Sequence, residues 1–172
     1  MLHRARSNFQ CLPGPHGPDL PANTTVCGAF MRAAIVTDET TELMLPSRVE
    51  SIAEAAAAAD EVARRLALSE EAAYGLDLAV REAVTNAVLH GNKQNEALPV
   101  EITFADAGAQ LVVTVRDCGT GFDPTQVADP TDPQNLLRAS GRGILFMRSF
   151  MDEVEWTRHP EGGTVVRMTK RH

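Results

Sequence analysis

The stretch REAVTNAVLHGNK, residues 81–93, limits the possible folds more than any other part of the chain. Ala83, Val84, Ala87, Val88 and Leu89 give a helix one apolar face, which has to be buried against a second layer. Glu82, Asn86 and His90 recur every four residues on the other side. At about 100° per residue they drift by about 40° per step and line one stripe, flanked by Thr85 and Arg81. Solvent is the commonest reason for such a stripe, but a face open to water is ordinarily filled with Lys, Gln, Arg and Glu. Asn and Thr are poorer helix formers because they compete for the backbone, so two in succession mid-helix mark a candidate site. These residues alone leave both readings open.

A chain of 172 residues suits one domain with one sizeable core. Its net charge of −7 lacks the basic footprint of a nucleic-acid binder and points to a protein or small-molecule partner. No apolar run is long enough to cross a bilayer and no signal peptide opens the chain, so no membrane association and a cytoplasmic location are expected. Cys11, Cys27 and Cys118 show neither metal-ligand spacing nor an even disulfide count, which fits a reducing compartment, and Cys118 reads as a small packing residue. Residues 1–30 hold Pro13, Pro15, Pro18 and Pro21 with little apolar periodicity and read as a disordered tail. Residues 31–172 pattern as the globular domain, with Met31 a second candidate start.

Within that domain the periodicity changes repeatedly. Thr40 to Leu45 reads as a strand, and Pro46 leads into Ser47-Arg48-Val49-Glu50, a capping box opening a helix with Val49, Ile52, Ala56, Ala59, Ala63 and Leu66 on its core face. Ser69 caps the next helix, which carries the polar stripe and ends near Gly91. Val100, Ile102 and Phe104 alternate as in a half-buried strand, Asp106-Ala107-Gly108 is a turn, and Leu111 to Val115 is the second arm of a hairpin. Residues 119–142 form a long loop with one short helix around Asn135 to Arg138. Ile144 to Met151 is helical, Glu153 to Thr157 a strand, Glu161-Gly162-Gly163 a turn and Thr164 to Thr169 the closing strand. The sum is a layered α/β domain with a mostly antiparallel sheet.

Two further stretches stand out. In VRDCGTGFDP, Asp117 ends a strand and is followed by Gly119 and Gly121, so the backbone can turn sharply toward a ligand while a carboxylate, which only accepts hydrogen bonds, reads an amine. A plain Asp-Gly turn has the same letters. In SGRGILFM, Gly141 and Gly143 stand where a helix begins and unpaired N–H groups meet anions, although simple caps look alike.

In this order, E-x-x-x-N on a helix, D-x-G-x-G after a strand and G-x-G before another helix, the three motifs closely resemble the nucleotide site of the GHKL ATPases. Within that superfamily EAVTNAVLHGNK, DCGTGF, SGRGILFMRSFMDEVEW and the terminal GGTVVRMTK resemble the anti-sigma-factor serine/threonine kinases of bacterial partner-switching systems, from about Thr40 to the C-terminus. The resemblance implies a two-layer α+β sandwich of the Bergerat ATP-binding type, with a mostly antiparallel mixed sheet covered by helices on one face. It implies ATP and Mg²⁺ as cofactors, Asn86 as the Mg²⁺ ligand and Glu82 as general base. His90 and Lys93 would contact phosphate. Asp117 would bind the adenine amine, with Gly119 and Gly121 lining the pocket and Thr164 supporting the base. Residues 122–140 would be a lid, and Ser140, Gly141, Arg142 and Gly143 would wrap the phosphates. Ala139 stands where the family often has a basic residue, which leaves Arg138 or Arg142 to replace it. The implied partners are a sigma factor and a STAS-type anti-anti-sigma protein, with the chain paired as a homodimer. The alternatives are a non-catalytic ATP-dependent binding module and the catalytic domain of a histidine kinase.

Overall fold

The computed structural model describes residues 33–36, 39–119 and 142–172; the expected tail, the expected lid and the short helix around Asn135 lie outside these residues. The elements run β1 (Ala33–Val36), β2 (Thr40–Pro46), α1 (Glu50–Arg65), α2 (Glu70–Thr85) continued by a π-helical segment (Asn86–Gly91), β3 (Pro99–Asp106), β4 (Gln110–Arg116), α3 (Arg142–Phe150), β5 (Glu153–Arg158) and β6 (Thr164–Arg171). The expected helices and strands are present, most extended by a residue or two. β1 was not expected: AAIV is too short and too uniformly apolar to show alternation.

The strands form one sheet in the order β1-β2-β3-β4-β6-β5. Every pairing is antiparallel, so the expected mixed sheet gives way to a purely antiparallel one. The connection from β2 to β3 explains part of this. Two helices in succession return the chain to the end of the sheet it left, and β3 starts with Pro99 opposite Pro46, the last residue of β2. A single crossover helix would have set the strands parallel.

One face of the sheet is buried by the helices. Ile102 pairs with Val115, Phe104 with Val113, and those two with Val166 and Met168, all almost fully buried. Alternate positions such as Glu101, Thr103, Thr114 and Arg167 point to the opposite face, as the two-residue period requires. There Arg116 is held by Glu101 at 3.0 Å and Glu161 at 3.4 Å.

The helices meet the core through small residues. Ala55, Ala56, Ala59, Val62 and Ala63 form the buried face of α1, whereas Val49, expected on that face, is exposed. The expected capping box is not formed. The Ser47 hydroxyl donates to the carbonyl of Leu98 at 2.6 Å, tying the end of β2 to the start of β3, and α1 opens at Glu50 without a side-chain cap. Ser69 does cap α2, accepting from the Ala72 N–H at 3.2 Å.

α2 and α3 touch almost backbone to backbone. A Cβ on the buried Gly75 would lie 2.8 Å from the Cβ of Phe150, whose ring meets Tyr74 edge-on with centroids 5.9 Å apart. Gly75→Val should therefore force the helices apart and lower stability by about 1–3 kcal/mol, read as a fall in melting temperature. An unchanged melting temperature would show that this contact does not fix α3.

Candidate functional site

The helix carrying the polar stripe changes pitch halfway along it. α2 is regular to Thr85, but Asn92 N–H then reaches back five residues to the Ala87 carbonyl at 2.8 Å, the π pattern. Such turns are found mostly inside α-helices at functional sites. Glu82 and Asn86 keep the expected alignment: both are half-buried, and Asn86 Nδ2 donates to Glu82 Oε1 at 3.3 Å. His90 lies inside the wider turn and no longer continues the drift. It and Lys93 are exposed, and no hydrogen bond or ion pair among the described residues joins them to the rest of the site.

The start of α3 closes over this pair. Gly143 is buried against Glu82, and a Cβ there would fall 1.7 Å from Oε1, so only glycine lets the carboxylate sit where the helix begins. The unpaired N–H groups of a helix's first turn and its positive end suit an anion at this spot. With Nδ2 on Glu82, the amide Oδ1 of Asn86 has no hydrogen-bond partner among the described residues, and a hard oxygen of this kind suits Mg²⁺. No group of three or more His, Cys, Asp or Glu among the described residues could hold a metal by itself. Of the other expected phosphate-side residues, Gly121, Ser140, Gly141 and the side chain of Arg142 lie outside the described residues.

Asp117 forms the second half of the site and is 5% exposed. Its backbone N–H donates to the Thr164 carbonyl at 3.0 Å, and Oδ1 accepts from Gly119 N–H at 3.0 Å. The Thr164 side chain also hydrogen-bonds to the carboxylate. Burial pushes the carboxyl above its ordinary value, against the opposing pull of the Gly119 and Thr164 hydrogen bonds and the Arg116 charge. Asp117, Gly119 and Thr164 are thus together, as expected.

Three neighbours that sequence reasoning passed over shape this pocket. A Cβ on Gly91 would lie 2.4 Å from Asp117 Cγ, and one on Gly163, at φ +88°, would lie 1.9 Å from the Asp117 carbonyl oxygen. From the sequence Gly91 is only the end of a helix and Gly163 part of a turn, although both fall in the stretches that carry the family resemblance. Asn92 is 2% exposed; its Oδ1 accepts from Cys118 N–H at 2.8 Å, while Nδ2 donates to Ser47 Oγ at 2.7 Å and the Pro99 carbonyl at 2.9 Å. Nothing in a Gly-Asn pair at a helix end distinguishes it from an ordinary exposed stop. Cys118 is disulfide-bonded, which departs from the packing residue expected; an odd count of three leaves room for one bridge.

Known proteins are similar to this chain in sequence. The serine-protein kinase RsbW of Oceanobacillus iheyensis is 29% identical over 135 residues, covering 75% of this chain and 84% of its own length. The anti-sigma F factor of Bacillus subtilis is 39% identical over 95 residues, 53% of this chain and 64% of its own length. That of Heyndrickxia coagulans is 37% identical over 102 residues, 56% and 67% respectively. The histidine kinase-like ATPase domain matches residues 45–170, a span that holds Glu82, Asn86, Asp117, Gly143 and Thr164. With that span and this geometry, the chain belongs to the histidine kinase-like ATPase domain family.

Proposed function

We propose that this chain is an ATP-dependent anti-sigma factor, a serine/threonine protein kinase that sequesters a sigma factor in the cytoplasm and phosphorylates an anti-anti-sigma protein of the STAS type. The observation that carries this reading is the Glu82–Asn86 pair at 3.3 Å, closed over by Gly143 at the start of α3. A non-catalytic binding module would need the anion-binding helix start but not a carboxylate set against it. The names of the relatives, a serine-protein kinase and anti-sigma F factors, support both halves of the reading.

Each residue has a stated task. The buried Asp117 accepts from the adenine amine, and Thr164 holds that carboxylate in place. Gly119 and Gly121 let the backbone approach the base. Asn86 would hold Mg²⁺, which when bound neutralises phosphate oxygens. Ser140, Gly141, Arg142 and Gly143 would wrap the phosphates at the start of α3, with His90 and Lys93 approaching them from the end of the π segment. Glu82 accepts the proton of the incoming serine hydroxyl. The domain is taken to run from residue 31 to 172 and to act as a homodimer. Among the described residues no helix is long and apolar enough to cross a membrane.

The deciding experiment supplies labelled ATP, Mg²⁺ and a STAS-type antagonist. Glu82→Gln should bind nucleotide and antagonist normally and transfer phosphate slower by about two orders of magnitude or more. An unmodified chain that binds both and transfers nothing to serine or threonine would sink the kinase reading.

The burial of Asp117 fixes the sign of a pH effect. The ionised carboxylate is a much stronger acceptor for the adenine amine than the protonated acid, so ATP affinity in calorimetry should fall on acidification, with a midpoint above the ordinary carboxylate value of 3.8. The stability of the free chain should shift the other way. A raised carboxyl favours the folded state below 3.8, and that contribution is lost as pH rises through the folded-state value. Asp117→Asn should flatten both profiles, abolish ATP binding and leave the melting temperature at neutral pH unchanged or higher. Assembly is checked by light scattering: a monomer mass at micromolar concentration would refute the homodimer. β2 is paired on both sides, so a partner subunit would have to cover the exposed sheet face or an outer edge rather than β2 itself.

A further inference from the structure

We infer that Asn92 is a positioning residue that sets the adenine selectivity of the site by fixing the peptide that follows Asp117; the inference rests on the reading of Asp117 as the adenine partner. β4 ends at Arg116, and the next three N–H groups each find a different acceptor. Asp117 N–H still has a strand partner, the Thr164 carbonyl at 3.0 Å, and Gly119 N–H folds back onto Asp117 Oδ1 at 3.0 Å. Between them Cys118 N–H points away from the sheet, and its acceptor is Asn92 Oδ1 at 2.8 Å. The Asp117 carboxylate, held directly by Gly119 N–H and Thr164, is thus also tied through the following peptide to Asn92.

The amide itself is held at both ends. Its Nδ2 donates to Ser47 Oγ at 2.7 Å, to the Pro99 carbonyl at 2.9 Å and more weakly to the Leu98 carbonyl at 3.2 Å, while Ser47 passes its own proton to Leu98. With the donors fixed on Pro99 and Ser47, the oxygen can face only Cys118. A buried amide satisfied on every side is rigid, and its orientation is not exchangeable with that of an apolar residue. The peptide is therefore positioned from the entry of α1 and the start of β3, elements remote from the ligand. Adenine offers an amine donor where guanine offers a carbonyl acceptor. A carboxylate held in one direction accepts from the first and repels the second, and a carboxylate free to swing does so less well.

The test measures binding of ATP and GTP to the full chain by calorimetry, alongside melting temperature, for three variants. Asn92→Ala should bind ATP roughly tenfold or more weakly and lose most of the ATP-over-GTP preference, the effect of removing one buried hydrogen bond. Ser47→Ala loosens only the donor end, so it should lower the melting temperature while keeping the preference. Asn92→Asp retains an acceptor for Cys118 but sets its other oxygen against the Pro99 and Leu98 carbonyls, so it should lower the melting temperature while keeping more of the preference than Asn92→Ala. An unaltered preference in Asn92→Ala would overturn the proposal. So would parallel loss of preference and melting temperature in Asn92→Ala and Ser47→Ala, or a preference in Asn92→Asp no higher than in Asn92→Ala. A wild-type chain that binds no adenine nucleotide would overturn the nucleotide site itself, and this role with it.

Discussion

Leu76, Ala79, Val80, Ala83, Val84 and Val88 are all at most 1% exposed, and α2 with its π continuation is wedged between α1, α3 and the sheet by these side chains. A helix packed on three sides has no freedom to rotate about its axis, because any rotation would move methyl groups into filled space. The direction in which Glu82 and Asn86 point is therefore a consequence of core packing. The site needs no dedicated support to aim them: the apolar residues one position away on the helix surface do it. The π segment is the exception, since it is where the helix leaves the regular geometry and the chain turns from the Glu82–Asn86 pair toward Asp117.

Three of the glycines act at this turn and beside it by what they lack. Gly91, Gly143 and Gly163 each occupy a point where a Cβ would overlap Asp117 or Glu82. Each carboxylate is thus set against bare backbone, and Asp117 accepts from the main-chain N–H of Gly119. The arrangement has a cost, since glycine gives up more conformational freedom on folding than any other residue. It also explains why the pocket is assembled from element ends, where glycine costs least.

Much of this was legible in the sequence. The period-two runs at Val100–Phe104 and Leu111–Val115 and the 3.6-residue period of the two helices gave the layers, and the glycine and carboxylate motifs pointed to the pairs Glu82–Asn86 and Asp117–Gly119 that the fold brings together. What escaped was decided by contacts distant along the chain. Ser47 has the letters of a cap, but its hydroxyl is taken by Leu98, 51 residues away, and the helix starts later. The antiparallel pairing of β2 with β3 follows from the two helices between them, which local propensity does not encode. Nor does composition reveal the π turn, because the same residues suit a regular helix and only the reach of the Asn92 N–H to Ala87 distinguishes them.

Asp117 shows how the two layers share one constraint. A buried carboxyl is destabilised in its charged form, and a fold selected only for stability would favour an amide or an apolar side chain there. The surroundings offset part of that penalty with hydrogen bonds from Gly119 and Thr164 and with the charge of Arg116, and Arg116 is itself neutralised by Glu101 and Glu161 on the opposite face of the sheet. The compensation is incomplete, since the carboxyl remains above its ordinary value. A residual demand for a donor is what makes such a group bind an amine. The same electrostatic deficit that weakens the free chain is available, once a ligand enters, as affinity for it.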